Sequence, residues 1–256
     1  PPQVHCSLTL QALEAGCHVI VEKPLTMTTD EAKTIISRHK DSQTKVTAIH
    51  NGLYAPVMRK ALSLIKKGRL GEILSVEIKW LHTPDDPMFA NKDHWCHSLP
   101  GGRLGEMLAH PIYLMQALLG QLKVKSVQAM KLGSYPRVSF DELRVNLEAS
   151  KGSASIYVSF NSSRNDVLID IYGTAGRLQI DILNDILVQL KSRPLANVAR
   201  GIDSLQQAYQ LAFSTTRSAV TKLSGRWRGG LEFCLRAFAD SVLNDHELLV
   251  TLNQAY

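Results

Sequence analysis

The spacing of apolar residues changes once along the chain, near Ile73, and this change limits the folds that the sequence can adopt. Up to that point, short apolar runs at 18–21 and 45–50 alternate with segments in which apolar residues recur at helical spacing. Beyond it, apolar and polar residues alternate with period two, which is typical of strands that have one buried face. The sequence therefore predicts an α/β segment followed by a region built on a large sheet.

The helices of the first segment have recognisable boundaries. Apolar residues at helical spacing from Val4 lead to a stop at Gly16. Thr28 and Glu31 form the pattern of a capping box, in which each side chain accepts a hydrogen bond from an unpaired backbone N–H. A further amphipathic helix covers 57–65 and ends at Gly68. Alternation of such helices with buried strands indicates the tail of a doubly wound α/β domain.

Helical spacing also occurs in the second region, where 104–119 interrupts the alternating segments and 202–223 and 231–243 follow them. The alternation itself predicts strands in a mostly antiparallel sheet. These strands contain Ile78, Val145, Val158, Ile169, Ile180 and Val188.

Composition argues against several classes of protein. The net charge of +6 is spread along the chain rather than clustered, so we expect a solvated surface and no nucleic-acid partner. No apolar run approaches the roughly 18 residues of a membrane-spanning helix, so we expect no membrane association. The four cysteines lack CxxC spacing and are expected to be free thiols in a reducing cytoplasm.

Phosphate-binding glycine motifs are absent from the sequence. Neither GxGxxG nor GxxxxGK[ST] occurs in the 256 residues. The glycines at 101, 102 and 105 do not follow a predicted strand, and 173–176 lies between alternating runs, where a hairpin turn is expected. Nothing in these residues is expected to cradle a pyrophosphate in the usual way.

Several motifs nevertheless occur in the order and approximate spacing of one family. The chain resembles the Gfo/Idh/MocA oxidoreductases, which include glucose-fructose oxidoreductase and inositol dehydrogenase. The matching segments are PPQVH at 1–5, AGCHVIVEKP at 15–24, NGLYAP at 51–56, GRLGEI at 68–73, GGRLGEMLAH at 101–110 and GTAG at 173–176.

The resemblance implies a fold and a domain division. It implies that 1–56 is a remnant of a dinucleotide-binding Rossmann domain, and that 57–256 is an α+β domain for substrate binding and oligomerisation. It also implies a homo-dimer or tetramer formed through the antiparallel sheet. The family's glycine-rich turn is expected before Pro1, so the 256-residue chain by itself is expected to bind dinucleotides weakly and to be inactive alone.

The same resemblance implies NAD or NADP as the cofactor and hydride transfer at a secondary alcohol of a sugar, sugar derivative or cyclitol. The choice between NAD and NADP stays open, because the residue that reads the ribose 2′ position is expected in the preceding segment. The alternative is a regulator on the same scaffold that senses a sugar or dinucleotide without catalysis.

Oxidation of a secondary alcohol needs a positioned base for the hydroxyl proton. Lys23 follows a buried strand and precedes Pro24, and is the first catalytic candidate, with a surface lysine as the alternative interpretation. His110 is the second. Glu106 precedes it by four residues, so on a helix the carboxylate is expected to orient the imidazole. Because Pro111 follows, His110 is expected in an irregular turn, and an ordinary surface ion pair is the alternative.

Differences from the family pattern concern the segment around His110. Glu106 stands where the family usually has aspartate, Leu108 where it has glycine, and Arg103 replaces a third glycine. Arg103 is a candidate for binding an anionic part of the substrate, with a surface arginine as the alternative.

The remaining candidates come from other segments. Trp95, flanked by His94, Cys96 and His97, is a candidate for stacking on a sugar, with ordinary packing as the alternative interpretation. The spacing of this cluster argues against a zinc site. By resemblance, the cofactor side is expected to include Pro2, His5, Glu22, Lys23 and Asn51. Asn51 is also expected to contact substrate.

Overall fold

A computed structural model describes residues 1–40, 42–91, 93–135, 138–150, 152–191 and 197–255. The chain forms two compact units, of which the first comprises Pro1–Tyr54, Asp93–Tyr113 and Gly229–Tyr256. The second comprises Ala55–Lys92 and Leu114–Arg228. This division differs from a single boundary after residue 56, because two later segments join the first unit.

The described parts of the chain contain helices and strands with the following bounds. The helices are α1 (His5–Glu14), α2 (Thr29–His39), α3 (Asn51–Tyr54), α4 (Pro56–Lys66), α5 (Pro87–Ala90), α6 (Gly102–Leu119), α7 (Asn197–Leu223), α8 (Gly230–Asn244) and α9 (Leu252–Ala255). The strands are β1 (Val19–Val21), β2 (Val46–Ala48), β3 (Ile73–Leu81), β4 (Leu122–Met130), β5 (Glu142–Ala149), β6 (Gly152–Ser159), β7 (Asp166–Gly173), β8 (Gly176–Asp181) and β9 (Ile186–Lys191).

The first unit is built on the parallel pair β1 and β2, in which Val19 lies opposite Val46. Buried apolar side chains of both strands pack with α2 and α9. This core contains Val21, Leu25, Ala32, Ile35, Val46, Ala48 and Leu252. The capping box at the start of α2 is present, with the Thr28 hydroxyl accepting from the Glu31 N–H and the Glu31 carboxylate accepting from the Thr28 N–H.

The second unit contains a seven-stranded sheet in the order β4-β5-β6-β3-β7-β8-β9. Every neighbouring pair is antiparallel except β3 and β6, which are parallel. The predicted hairpin joins β7 to β8, with Gly173 opposite Gly176. The prediction of a mostly antiparallel sheet is therefore confirmed.

Strand β4 of this sheet is not predicted from the sequence. Residues 123–129 of β4 are all exposed, so neither face of this edge strand is packed and its sequence does not alternate between apolar and polar residues.

Among the helices described, none is both long enough and apolar enough to span a lipid bilayer.

Helix α6 begins at a loop that requires glycine. Gly101 and Gly102 have φ angles of 75° and 56°, in the left-handed region that favours glycine. A Cβ at Gly105 would lie 2.0 Å from the carbonyl oxygen of Pro100, so only glycine fits there. The close approach of this loop to the first turn of α6 therefore explains the glycine spacing of the GGRLG segment.

The expectation that His110 lies in an irregular turn is wrong, because α6 continues through Pro111 to Leu119. Proline inside a helix removes one backbone donor and costs about 3 kcal/mol. Pro111 and Tyr113 are both buried, so packing around α6 offsets that cost. His110 is consequently held on a regular helix, in fixed relation to Glu106 and Tyr113.

Candidate active site

Lys23 lies just beyond the carboxyl end of β1, within the first unit. Its ammonium group forms an ion pair with the carboxylate of Glu106 in α6, and its Nζ also donates to the backbone carbonyl of Glu106 at 3.3 Å. The two side chains are only 13% and 9% exposed, so the pair is largely removed from water. Glu106 lies one helical turn before His110, so Lys23 contacts the face of α6 that carries His110.

Glu106 is shared between two cations. One carboxylate oxygen contacts Lys23, and the other contacts the guanidinium of Arg103, whose side chain is 8% exposed. Arg103 is therefore buried beside the candidate site rather than on the surface. A buried carboxylate of this kind is stabilised by its cationic partners, and it fixes both of them in place.

The expected role of Glu106 in orienting His110 is wrong for this arrangement. Within the described chain, both carboxylate oxygens of Glu106 face Lys23 and Arg103, and the side chain makes no contact with the imidazole. The side chain of glutamate is long enough for its carboxylate to contact Lys23, which follows β1, instead of lying along α6 toward His110. Tyr113 takes the position beside His110, with its hydroxyl 3.0 Å from His110 Nδ1.

Tyr113 connects His110 to the segment that follows β2. Its hydroxyl donates to Asn51 Oδ1 at 3.1 Å and accepts from the backbone N–H of Gly52 at 2.9 Å. A Cβ at Gly52 would lie 2.7 Å from the Tyr113 hydroxyl oxygen, so glycine permits this approach. Sequence analysis missed Tyr113, although its position three residues after His110 on one helical face is a usable signal.

The ring of Tyr113 stacks on His50, with ring centroids 4.2 Å apart and planes 9° apart. Burial lowers the pKa of His50 to about 4, so this imidazole is neutral near pH 7. Burial likewise raises the pKa of Tyr113 above its ordinary value, and the hydroxyl keeps its proton. Cys234 of α8 is also buried, and desolvation raises the pKa of its thiol to about 11.

The other predicted cofactor residues occupy the same unit. Pro2 is buried in a short 3-10 helix at 2–4, and His5 follows it with its ring Nδ1 2.8 Å from the carbonyl oxygen of Pro24. Glu22 is exposed directly after β1, and its carboxylate accepts from the Lys23 N–H at 3.2 Å. His5 and Glu22 thus contact the segment that carries Lys23.

Trp95 lies in a short 3-10 helix at 95–98, and its half-buried ring tilts against that of His94. The Nδ1 atom of His94 accepts a hydrogen bond from the Cys96 N–H at 3.3 Å, so His94 caps this helix. In the part of the chain that the structure describes, no group of three or more His, Cys, Asp or Glu side chains is arranged to hold a metal ion.

The first unit offers a partial fit for a dinucleotide. In parallel α/β sheets, ligands bind outside the carboxyl ends of the strands, and here those ends carry Glu22 and Lys23 after β1 and Asn51 after β2. Carboxylate, ammonium and amide groups can all form hydrogen bonds to a polar ligand bound at this edge. No residues of this sequence form the glycine turn that would hold a pyrophosphate.

Comparison with protein families gives two matches in chain order. Residues 1–50 match the oxidoreductase family with an NAD-binding Rossmann fold, GFO_IDH_MocA. Residues 58–179 match the GFO/IDH/MocA C-terminal domain.

Named relatives match about half of the chain. D-xylose dehydrogenase from Paenarthrobacter nicotinovorans is 30% identical over 149 residues, which is 57% of this chain and 38% of that protein. Levoglucosan dehydrogenase from Pseudarthrobacter phenanthrenivorans is 30% identical over 126 residues, 47% of this chain and 32% of that protein. Oxidoreductase P35 from Formosa agariphila is 28% identical, and the match covers 48% of this chain and 40% of that protein. The matches therefore span less than half of each of these relatives.

Solved structures show the same fold over the whole chain. WlbA dehydrogenase from Bordetella pertussis, in complex with NADH and UDP-GlcNAcA, superposes with a TM-score of 0.75 at 16% identity, covering 100% of this chain and 71% of that one. A levoglucosan dehydrogenase in complex with NADH and levoglucosan gives 0.73 at 20% identity, covering 100% and 72%. With both family matches in the expected order, the chain belongs to the GFO/IDH/MocA oxidoreductase family.

Proposed function

We propose that this chain carries the catalytic residues of an NAD(P)-dependent dehydrogenase acting on a secondary alcohol of a sugar, sugar derivative or cyclitol. The observation that carries the proposal is the placement of Lys23 at the end of β1 against Glu106, one turn before His110. The names of the relatives, D-xylose dehydrogenase and levoglucosan dehydrogenase, support a sugar as the substrate class.

The reaction converts a CH–OH group to a carbonyl. NAD or NADP, when bound, would supply the acceptor for the hydride, which carries the two electrons of the C–H bond. The protein must take the hydroxyl proton while the C=O bond forms, and His110 is proposed as its acceptor. Lys23 is proposed to donate a hydrogen bond to the reacting oxygen, so that its ammonium stabilises the negative charge that develops there.

Glu106 and Arg103 are proposed to hold this arrangement. The carboxylate of Glu106 fixes the ammonium of Lys23, and it is itself held by Arg103. Arg103 and Asn51 are proposed to contact the substrate as well, and Trp95 to stack on its ring. Pro2, His5, Glu22, Lys23 and Asn51 are proposed for the cofactor side, because they follow or flank the carboxyl ends of β1 and β2.

The test uses the protein as its gene encodes it, with NAD and NADP offered separately against a panel that includes D-xylose, levoglucosan and inositol. Formation of NADH or NADPH is followed by absorbance. We expect Lys23→Met and His110→Asn each to reduce turnover by about 10²–10⁴-fold while the far-ultraviolet circular dichroism is unchanged. Lys125→Met is the matched control, since Lys125 pairs with Glu148 on the exposed surface.

Two results would contradict the proposal. Near-normal turnover of Lys23→Met removes this lysine from the mechanism. Binding of sugar or dinucleotide without reduction of NAD or NADP across the panel favours the sensing regulator instead.

Assembly and location are part of the same proposal. We propose a homo-dimer or tetramer formed through the large sheet, since Val124 and Val127 of β4 are 59% and 58% exposed. The double variant Val124→Glu, Val127→Glu is expected to lower the mass measured by light scattering to that of one chain.

We propose the cytoplasm as the compartment of the protein. The support is that Cys6, Cys17, Cys96 and Cys234 are free thiols, as expected in a reducing environment.

A further inference from the structure

The hydroxyl of Tyr113 makes three hydrogen-bonding contacts, and together they leave little freedom in where its hydrogen lies. A phenol oxygen has one hydrogen to donate and two lone pairs to accept with. The N–H of Gly52 donates to one lone pair at 2.9 Å. The hydrogen is donated to Asn51 Oδ1 at 3.1 Å. One lone pair therefore remains for the third partner, His110 Nδ1, at 3.0 Å.

A lone pair on the Tyr113 oxygen accepts a hydrogen bond only from a nitrogen that carries hydrogen. His110 Nδ1 must then be the protonated nitrogen. A neutral imidazole carries hydrogen on one nitrogen only, so Nε2 of His110 is then the nitrogen with a lone pair, which is the form that accepts a proton. We infer that Tyr113 is a positioning residue that selects this tautomer of His110, and thereby makes Nε2 the atom that takes the substrate's proton. The last step rests on the proposed function, whereas the tautomer itself does not.

Three features keep the Tyr113 hydroxyl in this role. Its ring is buried and stacked on His50, which holds the phenol oxygen in place between Gly52, Asn51 and His110. Its raised pKa keeps the hydrogen on the oxygen across the ordinary pH range. The absence of a side chain at Gly52 lets the backbone N–H reach the oxygen. Asn51 Oδ1 accepts the hydrogen of the Tyr113 hydroxyl, so the tautomer of His110 depends on Asn51 as well as on Tyr113.

Nitrogen-15 spectra of protein labelled at histidine test the inference without substrate or cofactor. The spectrum of His110→Gln identifies the signals of His110 by their loss. We expect wild-type His110, at a pH where it is neutral, to show hydrogen on Nδ1. In Tyr113→Phe the hydrogen is expected to move to Nε2, the nitrogen that carries it in most free histidine side chains.

A second variant keeps Tyr113 and changes only its acceptor. In Asn51→Leu the Tyr113 hydroxyl loses its acceptor and is expected to donate to His110 Nδ1, which moves the hydrogen of His110 to Nε2. A purely structural role of Tyr113 predicts no such shift. Ile112→Ala, an exposed position on the same helix, is the control and is expected to keep the wild-type tautomer.

Hydrogen on Nε2 in the wild type, or an unchanged tautomer in Asn51→Leu, would overturn the inference. Spectra of Tyr113→Phe and Asn51→Leu are interpreted only if the circular dichroism spectrum of the variant matches that of the wild type. If Tyr113→Phe does not fold, the tautomer measured in Asn51→Leu decides whether the inference holds. The nitrogen-15 spectra report the tautomer of His110 whether or not the protein is a dehydrogenase. A failure of the tautomer inference is therefore distinguishable from a failure of the proposed function.

Discussion

The ammonium of Lys23 and the carboxylate of Glu106 form an ion pair that joins the end of β1 to helix α6, with little exposure of either side chain. Because Arg103 holds the second oxygen of the same carboxylate, one buried anion is shared by two cations. The energetic consequence of losing the anion is therefore large.

Glu106→Gln is expected to lower the free energy of unfolding by about 3 kcal/mol, because it removes the buried carboxylate that Lys23 and Arg103 share. Urea denaturation at pH 7 measures the change. The control is Glu148→Gln, whose partner Lys125 is exposed, and for which a change below about 1 kcal/mol is expected. Equal effects of the two replacements would show that the pair with Lys23 is not effectively buried.

The pKa of His50 predicts a pH dependence of stability. Its ordinary value of 6.5 is lowered to about 4 in the folded protein. Between these values the unfolded chain binds the proton and the folded chain does not, so stability rises with pH across this window and is lost as the pH falls through it. The difference corresponds to about 3 kcal/mol.

His50→Gln is expected to remove this slope between pH 4 and 6.5, while stability at pH 7.5 changes by a constant amount. Urea denaturation of both proteins at constant ionic strength compares the slopes. An identical slope in the variant would mean that other groups cause the pH dependence.

Gly52→Ala tests the space beside Tyr113. The new Cβ would lie 2.7 Å from the Tyr113 hydroxyl oxygen, and the ring must shift, so a loss of about 1–3 kcal/mol in stability is expected. Gly201→Ala in α7 is the matched control, because no atom lies within 4 Å of its Cβ. There a gain of about 0.5–1 kcal/mol is expected from helix propensity. Thermal unfolding measures both variants, and a neutral Gly52→Ala would show that Tyr113 moves without cost.

The cysteines are expected to differ in reactivity. Cys17 is exposed, whereas Cys234 is buried and its thiol has a pKa of about 11. Because the thiolate is the reactive form, iodoacetamide at pH 8 should label Cys17 within minutes and leave Cys234 unmodified. Mass spectrometry of peptides measures the labelling, and labelling in urea provides the control in which both react. Early modification of Cys234 in folded protein would indicate that α8 opens readily.

Much of the fold could be predicted because local signals and tertiary packing agree. Thr28 and Glu31 begin α2 as expected, Gly16 has the positive φ that ends a helix, and the hairpin at 173–176 follows its glycines. Pro111 shows where local signals fail, since its cost is offset by packing that sequence spacing does not reveal. The parallel pairing of β3 with β6 is likewise set by chain topology, and alternation within a strand carries no information on the direction of its neighbour.

The candidate site could be predicted less completely. The motifs located Lys23, Glu106 and His110, and spacing placed the last two on one helical face. The partner of each side chain depends on the length of that side chain and on which segments the fold brings close to it. Helical spacing places Tyr113 near His110, but it does not show that Glu106 pairs with Lys23 and Arg103 while the Tyr113 hydroxyl takes the place beside the imidazole.

Helix α6 carries Arg103, Glu106, His110 and Tyr113 at intervals of three or four residues, so their mutual placement is a property of helical pitch. Each residue of a helix turns the chain by about 100°. Insertion or deletion of a single residue between Glu106 and His110 would therefore rotate one half of the set away from the other. The arrangement of these four side chains therefore depends on the number of residues between them as well as on their chemical identity.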